Sequence, residues 1–433
     1  MYYMKKFILS LIVLSALVPA MAQRTFEVEQ PDFNTYFKDQ TLSFYYYRIG
    51  NGTQEEVKLA PRAFILNDGL PWSGSLTQLV DPINNGDYRL VVEDLASGKV
   101  IYSRTFHNLF REYRDTPVGR DSIATFEECL RMPMPKKPVR VCLQQRNHEQ
   151  DFYTAFSTTY NPRRPDKARG VWQPVPLSVA GDPHVKIDVA IVAEGYGPGD
   201  EEKLQKDFAR FVDCLFGQEP FKSRRNDFNV WGVPCLGEAA GITDPTRNIY
   251  VESAVGASYN TFGNDRYLMT SCIFRLHSMI AATPCDHIVI MANSDTYGGG
   301  AIYNFYAISS LNKMAPYILP HELGHSIGGL ADEYVDEELS YGEMHKETSE
   351  PLEPNITALI DFEHKWKDML DPSVPLPTPP CQLDSPTSNC GPLGLYEGAG
   401  YKPKGLYRPV MNCMMNYYAP FCPVCTKAMN TMF

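Results

Sequence analysis

Basic residues are in deficit in this chain: 40 Lys and Arg stand against 51 Asp and Glu, a formal net charge of −11. No basic stripe interrupts the acidic background, which argues against nucleic acid or an anionic membrane surface as a partner. Long apolar runs are also missing, apart from one at the N-terminus, so no later segment reads as a membrane span. Internal repeats and low-complexity tracts are absent, which leaves out solenoids and fibrous arrays. Histidine is scarce, nine in 433 residues, so any close grouping of histidines carries information.

What is there begins with a leader. Lys5 and Lys6 precede an apolar run, Phe7 to Val18, and Ala20-Met21-Ala22 follows as a small-x-small cleavage signal. Residues 1–22 are therefore expected to be a signal peptide, with a mature chain from Gln23 that is periplasmic or secreted. No cysteine follows the apolar run, so a lipid anchor is not expected. Loss of Lys5 and Lys6, with no acid in the leader, takes the net charge from −11 to −13. The remaining chain of about 410 residues is long enough for two domains.

Eleven cysteines in an exported chain permit disulfides, and the odd count leaves at least one outside an intrachain pair. Cys381 and Cys390 flank a Pro/Ser/Asn-rich loop and are placed to clip it. Cys422-Pro-Val-Cys425 has a metal-ligand or redox spacing, but no second CxxC and no thioredoxin-like context accompany it, so it reads as structural.

The first third alternates like β structure. Leu42–Gly50 reads as a strand; Tyr88–Asp94 and Lys99–Phe106 read as a hairpin closed at Leu95–Gly98. A small all-β sandwich over residues 23–141 is expected. Arg131–Arg140, Pro-rich and basic, fits a linker, and Asn161–Gly170 fits a loop. From residue 142 the pattern mixes. Val185–Gly195, Phe228–Cys235 and Asp286–Asn293 read as strands, Glu201–Phe216 as an amphipathic helix and Asp265–Ala282 as a long helix. That alternation means α/β or α+β layering over 142–433.

The most informative stretch is "PHELGHSIGGLADEY", Pro320 to Tyr334. His321 and His325 are four apart, so a helix projects both from one face toward a single metal, and Glu322 can take a proton from water in the same cleft. A helix starting near Tyr317 would put Pro320 in its first turn, where its missing N–H does no harm. Gly328-Gly329 then ends the helix and can bring Asp332 back as a third ligand, with Glu333, Asp336 and Glu337 as rivals. A zinc site with two histidines, an acid and an open position is expected. The acidic run Asp332–Glu338 has no EF-hand pattern, so Ca2+ has no motif behind it.

"HELGHSIGGLADEY" resembles the active-site signature of the IgA peptidase family, zinc endopeptidases typified by a clostridial immunoglobulin A protease. "IVAEGYG" (Ile191–Gly197), "FNVWGV" (Phe228–Val233), "HIVIMANSDTYGGG" (His287–Gly300) and "GLYRPVMNCMMN" (Gly405–Asn416) fall in that family's order. The resemblance runs from about Lys186 to the C-terminus, and the β-rich part before it is similar to the accessory domain of bacteroidal members. It implies an α+β, metzincin-like fold with an active-site helix beneath a mixed sheet. It implies one Zn2+ held by His321, His325 and Asp332, with Glu322 as general base. The familiar metzincin histidine three residues after the glycine is missing: Ala331 stands there, one residue before Asp332. "NCMMNY" is similar to a metzincin methionine turn, with Met415 ahead of Met414 as its methionine. Tyr417 is similar to a tyrosine that stabilises the tetrahedral intermediate. Gly298, Gly299 and Gly300 are placed to line an edge strand that pairs with extended substrate.

The reading is an exported zinc endopeptidase acting on protein or peptide, its oligomeric state open. Two others compete: a zinc amidase acting on cell-wall peptide, and a surface binding protein with a structural zinc. Four closed protein ligands would favour the last; an open position beside Glu322 favours catalysis.

Overall fold

The computed structural model describes residues 28–339, 344–381 and 391–433. The expected signal peptide and Cys390 lie outside them.

The N-terminal part is built from eight strands: β1 (Phe37–Gly50), β2 (Glu55–Asn67), β3 (Tyr88–Asp94), β4 (Val100–Phe106), β5 (Ala124–Pro135), β6 (Val139–Arg146), β7 (Phe152–Tyr160) and β8 (Asp166–Ala168). Short helices α1 (Phe33–Tyr36), α2 (Leu109–Tyr113) and α3 (Pro117–Asp121) fill the connections. The strands form two four-stranded sheets, β5-β1-β2-β8 and β4-β3-β6-β7. The β3–β4 hairpin is where the sequence puts it. Gly98 adopts φ +70° in the turn, and its N–H returns to the Asp94 carbonyl.

Two expectations change here. Arg131–Arg140 is no linker: it is the end of β5, a tight turn and the start of β6. Its prolines are tolerated because Pro133 and Pro135 pair only with β1, at the edge of their sheet. Asn161–Gly170, expected as a loop, contains β8, which pairs parallel with β2. The strands of the sandwich thus run on to Ala168, past residue 141.

The C-terminal part centres on a six-stranded mixed sheet, ordered β13-β14-β12-β10-β11-β9. Its strands are β9 (Val175–Ser178), β10 (Ile187–Glu194), β11 (Phe228–Val233), β12 (His287–Ala292), β13 (Gly299–Ile302) and β14 (Tyr306–Ser310). The middle four run parallel, and both edges, β9 and β13, are antiparallel. Helices α4 (Glu201–Leu215), α5 (Ile273–Met279), α6 (Ala315–Ser326) and α7 (Pro423–Met432), with a hairpin of β15 (Tyr396–Ala399) and β16 (Lys402–Arg408), complete an α+β fold.

Period-2 alternation in β10 joins the two parts. Val189, Ile191 and Ala193 enter a core shared with α4, α6 and α7. Ala190 and Val192 enter the opposite core, which continues without a break into Phe44, Val92, Phe106 and Val141 of the sandwich. A strand buried on both faces must be apolar throughout, which is how "VAIVA" reads.

The long helix expected over Asp265–Ala282 is shortened to α5. Residues before it pair with neighbouring backbone instead: Met269 bridges Ser258, and the Leu268 N–H bonds the Gly299 carbonyl at 3.1 Å. Pairing with the sheet edge outweighs helical propensity there.

Candidate active site

α6 carries the central motif and is buried on nearly every side. Ile318, Leu319 and Leu323 are at most 2% exposed, and burial of each contributes about 1.5–3 kcal/mol. The helix starts at Ala315, with Pro316 in its first turn, two residues earlier than expected. Pro320 is therefore an interior residue that leaves the Pro316 carbonyl without its helical partner. The helix ends as predicted. Gly329 takes φ +59°, and its N–H bonds the His325 carbonyl at 3.1 Å while Leu330 bonds Gly324. This left-handed step turns the chain back beneath the helix.

The return places Asp332 against both histidines. Asp332 Oδ1 lies 3.1 Å from His321 Nε2 and 3.4 Å from His325 Nε2, and the two Nε2 atoms are 3.2 Å apart. One donor atom from each residue falls within 4.8 Å of the others. The far nitrogens are committed to backbone carbonyls: His321 Nδ1 donates to Met414 at 2.9 Å and His325 Nδ1 to Leu330 at 2.6 Å. With Nδ1 holding the proton, Nε2 is left as the free lone pair. Tyr401 donates its hydroxyl to Asp332 Oδ2 at 2.6 Å. Oδ1 is buried and makes no hydrogen bond among the described residues.

The electrostatics favour a cation at that point. Burial works against charge on His325, yet Asp332 overrides it and lifts the ring to about 9. The histidines in turn hold Asp332 well below the usual carboxylate range despite its burial.

Of the rival acids, Glu333 turns the other way into a cluster of cysteines, Asp336 faces Arg266 at 3.4 Å, and Glu337 is exposed. Glu322 lines the same cleft as the histidines and is buried, which raises its carboxyl above the usual value.

Of the three glycines, Gly299 meets that carboxylate, and for a steric reason. A Cβ on Gly299 would sit 2.5 Å from Glu322 Oε1. Gly299 in β13 is also already paired on its outer edge, its N–H to Arg266 and its carbonyl to Leu268. At Gly298 a Cβ would strike the Tyr259 ring, and at Gly300 the Met269 sulfur. All three positions allow close approach.

Residues 413–417 form a tight turn, with Asn416 and Tyr417 N–H both returning to the Cys413 carbonyl. Met415 is fully buried under α6, where a Cβ on Gly324 would come within 2.6 Å of its sulfur. A mid-helix glycine costs about 1 kcal/mol against alanine, and here it admits the methionine. Met414 contributes its carbonyl to His321. Tyr417 lines the cleft and is about two-fifths exposed, as is Tyr418. Tyr297 lies in the same cleft, its hydroxyl pushed up to about 12 by burial and the Glu322 charge.

The sequence did not point to the wall opposite. His107, Arg111 and Glu112, in and beside α2, line the cleft from the sandwich side. Tyr267 donates to Glu112 Oε2 at 2.5 Å, and burial pushes the Glu112 carboxyl up to about 7. Arg111 reaches Glu353 at 2.9 Å and also pairs with Asp87. Tyr267 and Glu112 are 155 residues apart and Arg111 and Glu353 are 242 apart, so no local spacing announces either pair. Cys381 is disulfide-bonded; its expected partner is outside the described residues.

Two imidazoles, a carboxylate and a buried glutamate suit hydrolysis of many kinds, and comparison with known families narrows it. Residues 175–387 and 382–433 match the family described as IgA Peptidase M64, and residues 32–157 match Peptidase M64 N-terminus. The protein is thus a peptidase of a metallopeptidase family. The chain belongs to the IgA peptidase M64 family, and its sandwich is that family's N-terminal domain. No curated protein matches it.

Proposed function

We propose that the protein is an exported zinc-dependent endopeptidase in which His321, His325 and Asp332 hold the metal and Glu322 is the general base. The observation that carries this reading is the convergence of three donor atoms within 4.8 Å, in the cleft that Glu322 lines. The donor set fits: two neutral imidazoles and one carboxylate suit zinc, and three protein ligands leave a position for water. When bound, zinc supplies Lewis-acid polarisation of the scissile carbonyl and makes water acidic enough to ionise near neutrality.

The chain's own residues do the rest. The Met414 and Leu330 carbonyls fix the tautomer and orientation of the two rings. Glu322, its basicity raised by burial, accepts the proton of the attacking water and delivers it to the leaving amine. Tyr417 stands at the cleft as a donor toward the developing oxyanion. Export rests on the leader before Gln23, and the nature of the protein cleaved rests on cleft walls that family membership does not specify.

Casein cleavage, zinc content and thermal melting of wild type and Glu322→Gln test the reading. The variant is expected to keep zinc and fold and to lose about 10²–10⁴-fold in rate. A chelator should abolish wild-type cleavage and added Zn2+ restore it. Full cleavage by metal-loaded Glu322→Gln would remove Glu322 as the base.

A further inference from the structure

Directly behind the active site, three cysteine sulfurs and one carboxylate meet in the core. Cys413, Cys422, Cys425 and Glu333 each offer one donor atom within 4.8 Å of all the others, and none is more than 2% exposed. We propose that these four side chains form a second, structural metal site of the zinc class, with three thiolate ligands and one carboxylate.

The spacing matches the ion. A tetrahedral centre with Zn–S bonds of about 2.3 Å separates its sulfurs by about 3.8 Å. Cys413 Sγ and Cys425 Sγ are 3.6 Å apart, and Cys425 Sγ is 3.2 Å from Glu333 Oε1. The surroundings are those of thiolate ligands. The Cys422 N–H donates to Cys413 Sγ at 3.2 Å and the Cys425 N–H to Cys422 Sγ at 3.4 Å. The second contact caps α7, so the helix N-terminus also faces negative sulfur.

Glu333 points independently to a cation. It is fully buried, and its Oε2 makes no hydrogen bond among the described residues. Asn355 donates to its Oε1 at 2.9 Å while gripping both the N–H and the carbonyl of Ala331, which aims the carboxylate at the sulfurs. A buried, half-satisfied carboxylate is costly unless it meets a charge. A disulfide between Cys413 and Cys425 would use two sulfurs and leave Cys422 and Glu333 with nothing to neutralise them. Metal uptake forms three metal–sulfur bonds and one metal–oxygen bond and releases the thiol protons to solvent. Soft sulfur ligands in a closed set of four select zinc over magnesium or calcium.

The site would join the start of the terminal helix to two pieces of irregular chain that also position the catalytic group. Glu333 follows Asp332, and its N–H bonds the Met415 carbonyl at 2.8 Å. Cys413 precedes Met414, whose carbonyl orients His321. Cys422 and Cys425 anchor the terminal helix beneath the turn.

Cobalt substitution tests this apart from the catalytic metal, because imidazole and carboxylate ligands give no thiolate-to-cobalt charge-transfer band. The full-length protein loaded with Co2+ should show that near-ultraviolet band. It should persist in the His321→Ala/His325→Ala double variant, which should still hold one zinc per chain where wild type holds two. In Cys425→Ser the band should fall by about one third or more, one of three thiolates being gone. Should that variant not fold, the wild-type and double-histidine spectra still decide. No band in either, or a peptide map of the native protein showing Cys413 disulfide-linked to Cys425, would overturn the proposal. A band with equal zinc in wild type and the double variant would leave this site standing and remove the catalytic one.

Discussion

The Tyr401 hydroxyl donates to Asp332 Oδ2 at 2.6 Å and so decides which carboxylate oxygen faces His321 and His325. Tyr401 comes from the turn between β15 and β16, sixty-nine residues on from Asp332 in sequence. Removing such a partner typically weakens a metal site tenfold to a hundredfold. Tyr401→Phe should therefore raise the zinc dissociation constant by about 10–100-fold, read by competition with a fluorescent chelator. Unchanged affinity would mean that Oδ1 is aimed by packing alone.

Asp332→Ala and Asp336→Ala separate ligand from neighbour. The first removes the carboxylate beside both imidazoles; the second removes a partner of Arg266 at the surface. Zinc affinity at the histidine site should collapse in Asp332→Ala, with any metal among the cysteines retained, and stay within about twofold of wild type in Asp336→Ala, an exposed ion pair being worth at most about 1 kcal/mol. The opposite ranking would move the third ligand into the acidic run.

Gly299→Ala tests the closeness of β13 to Glu322. The new methyl would arrive 2.5 Å from Glu322 Oε1 and 2.7 Å from Ile318 Cγ2, so the carboxylate must shift. A displacement near 1 Å can cost about 100-fold in rate. Cleavage should fall on that order with zinc content unchanged. A variant as active as wild type would show that Glu322 has room to relocate without penalty.

Arg111 and Glu353 tie the sandwich to the catalytic part at 2.9 Å, both largely buried. Burial alone would push the Glu353 carboxyl up, but Arg111 and His345 overcome it and hold it well below the ordinary value of 4.5. A depressed carboxyl binds fewer protons folded than unfolded, so its stabilisation is complete above that value and is lost as pH falls below it. Arg111→Met strands Glu353 and Asp87 and should cost about 3–5 kcal/mol at pH 7. The gap to wild type should narrow as pH drops through 4.5, measured by urea unfolding at both ends. A gap that widens on acidification would assign the cost to lost packing.

The local chemistry of this protein was legible in one dimension. Helical spacing alone sets His321 and His325 on one face, Gly329 alone permits the left-handed step that turns the chain, an unbroken apolar run announces β10 as buried, and alternation broken by turn residues announces β3–β4 as a hairpin. These follow from short-range sterics and periodicity, which the tertiary structure had no reason to overrule. Where long-range pairing competed with local preference, it won: the prolines of Arg131–Arg140 ended in a strand edge, and the helical pattern before Ile273 gave way to bridges with Ser258 and Gly299. Groups brought together from distant sequence were invisible until the fold assembled them. Tyr401 on Asp332, Arg111 on Glu353, and Glu333 among Cys413, Cys422 and Cys425 are contacts between segments with no common period. The Cys422–Cys425 pair reads as structural in the sequence because no second CxxC accompanies it; in the fold Cys413 and Glu333, the latter 92 residues before Cys425, stand beside it, Glu333 turned inward by the same chain reversal that turns Asp332 toward the histidines.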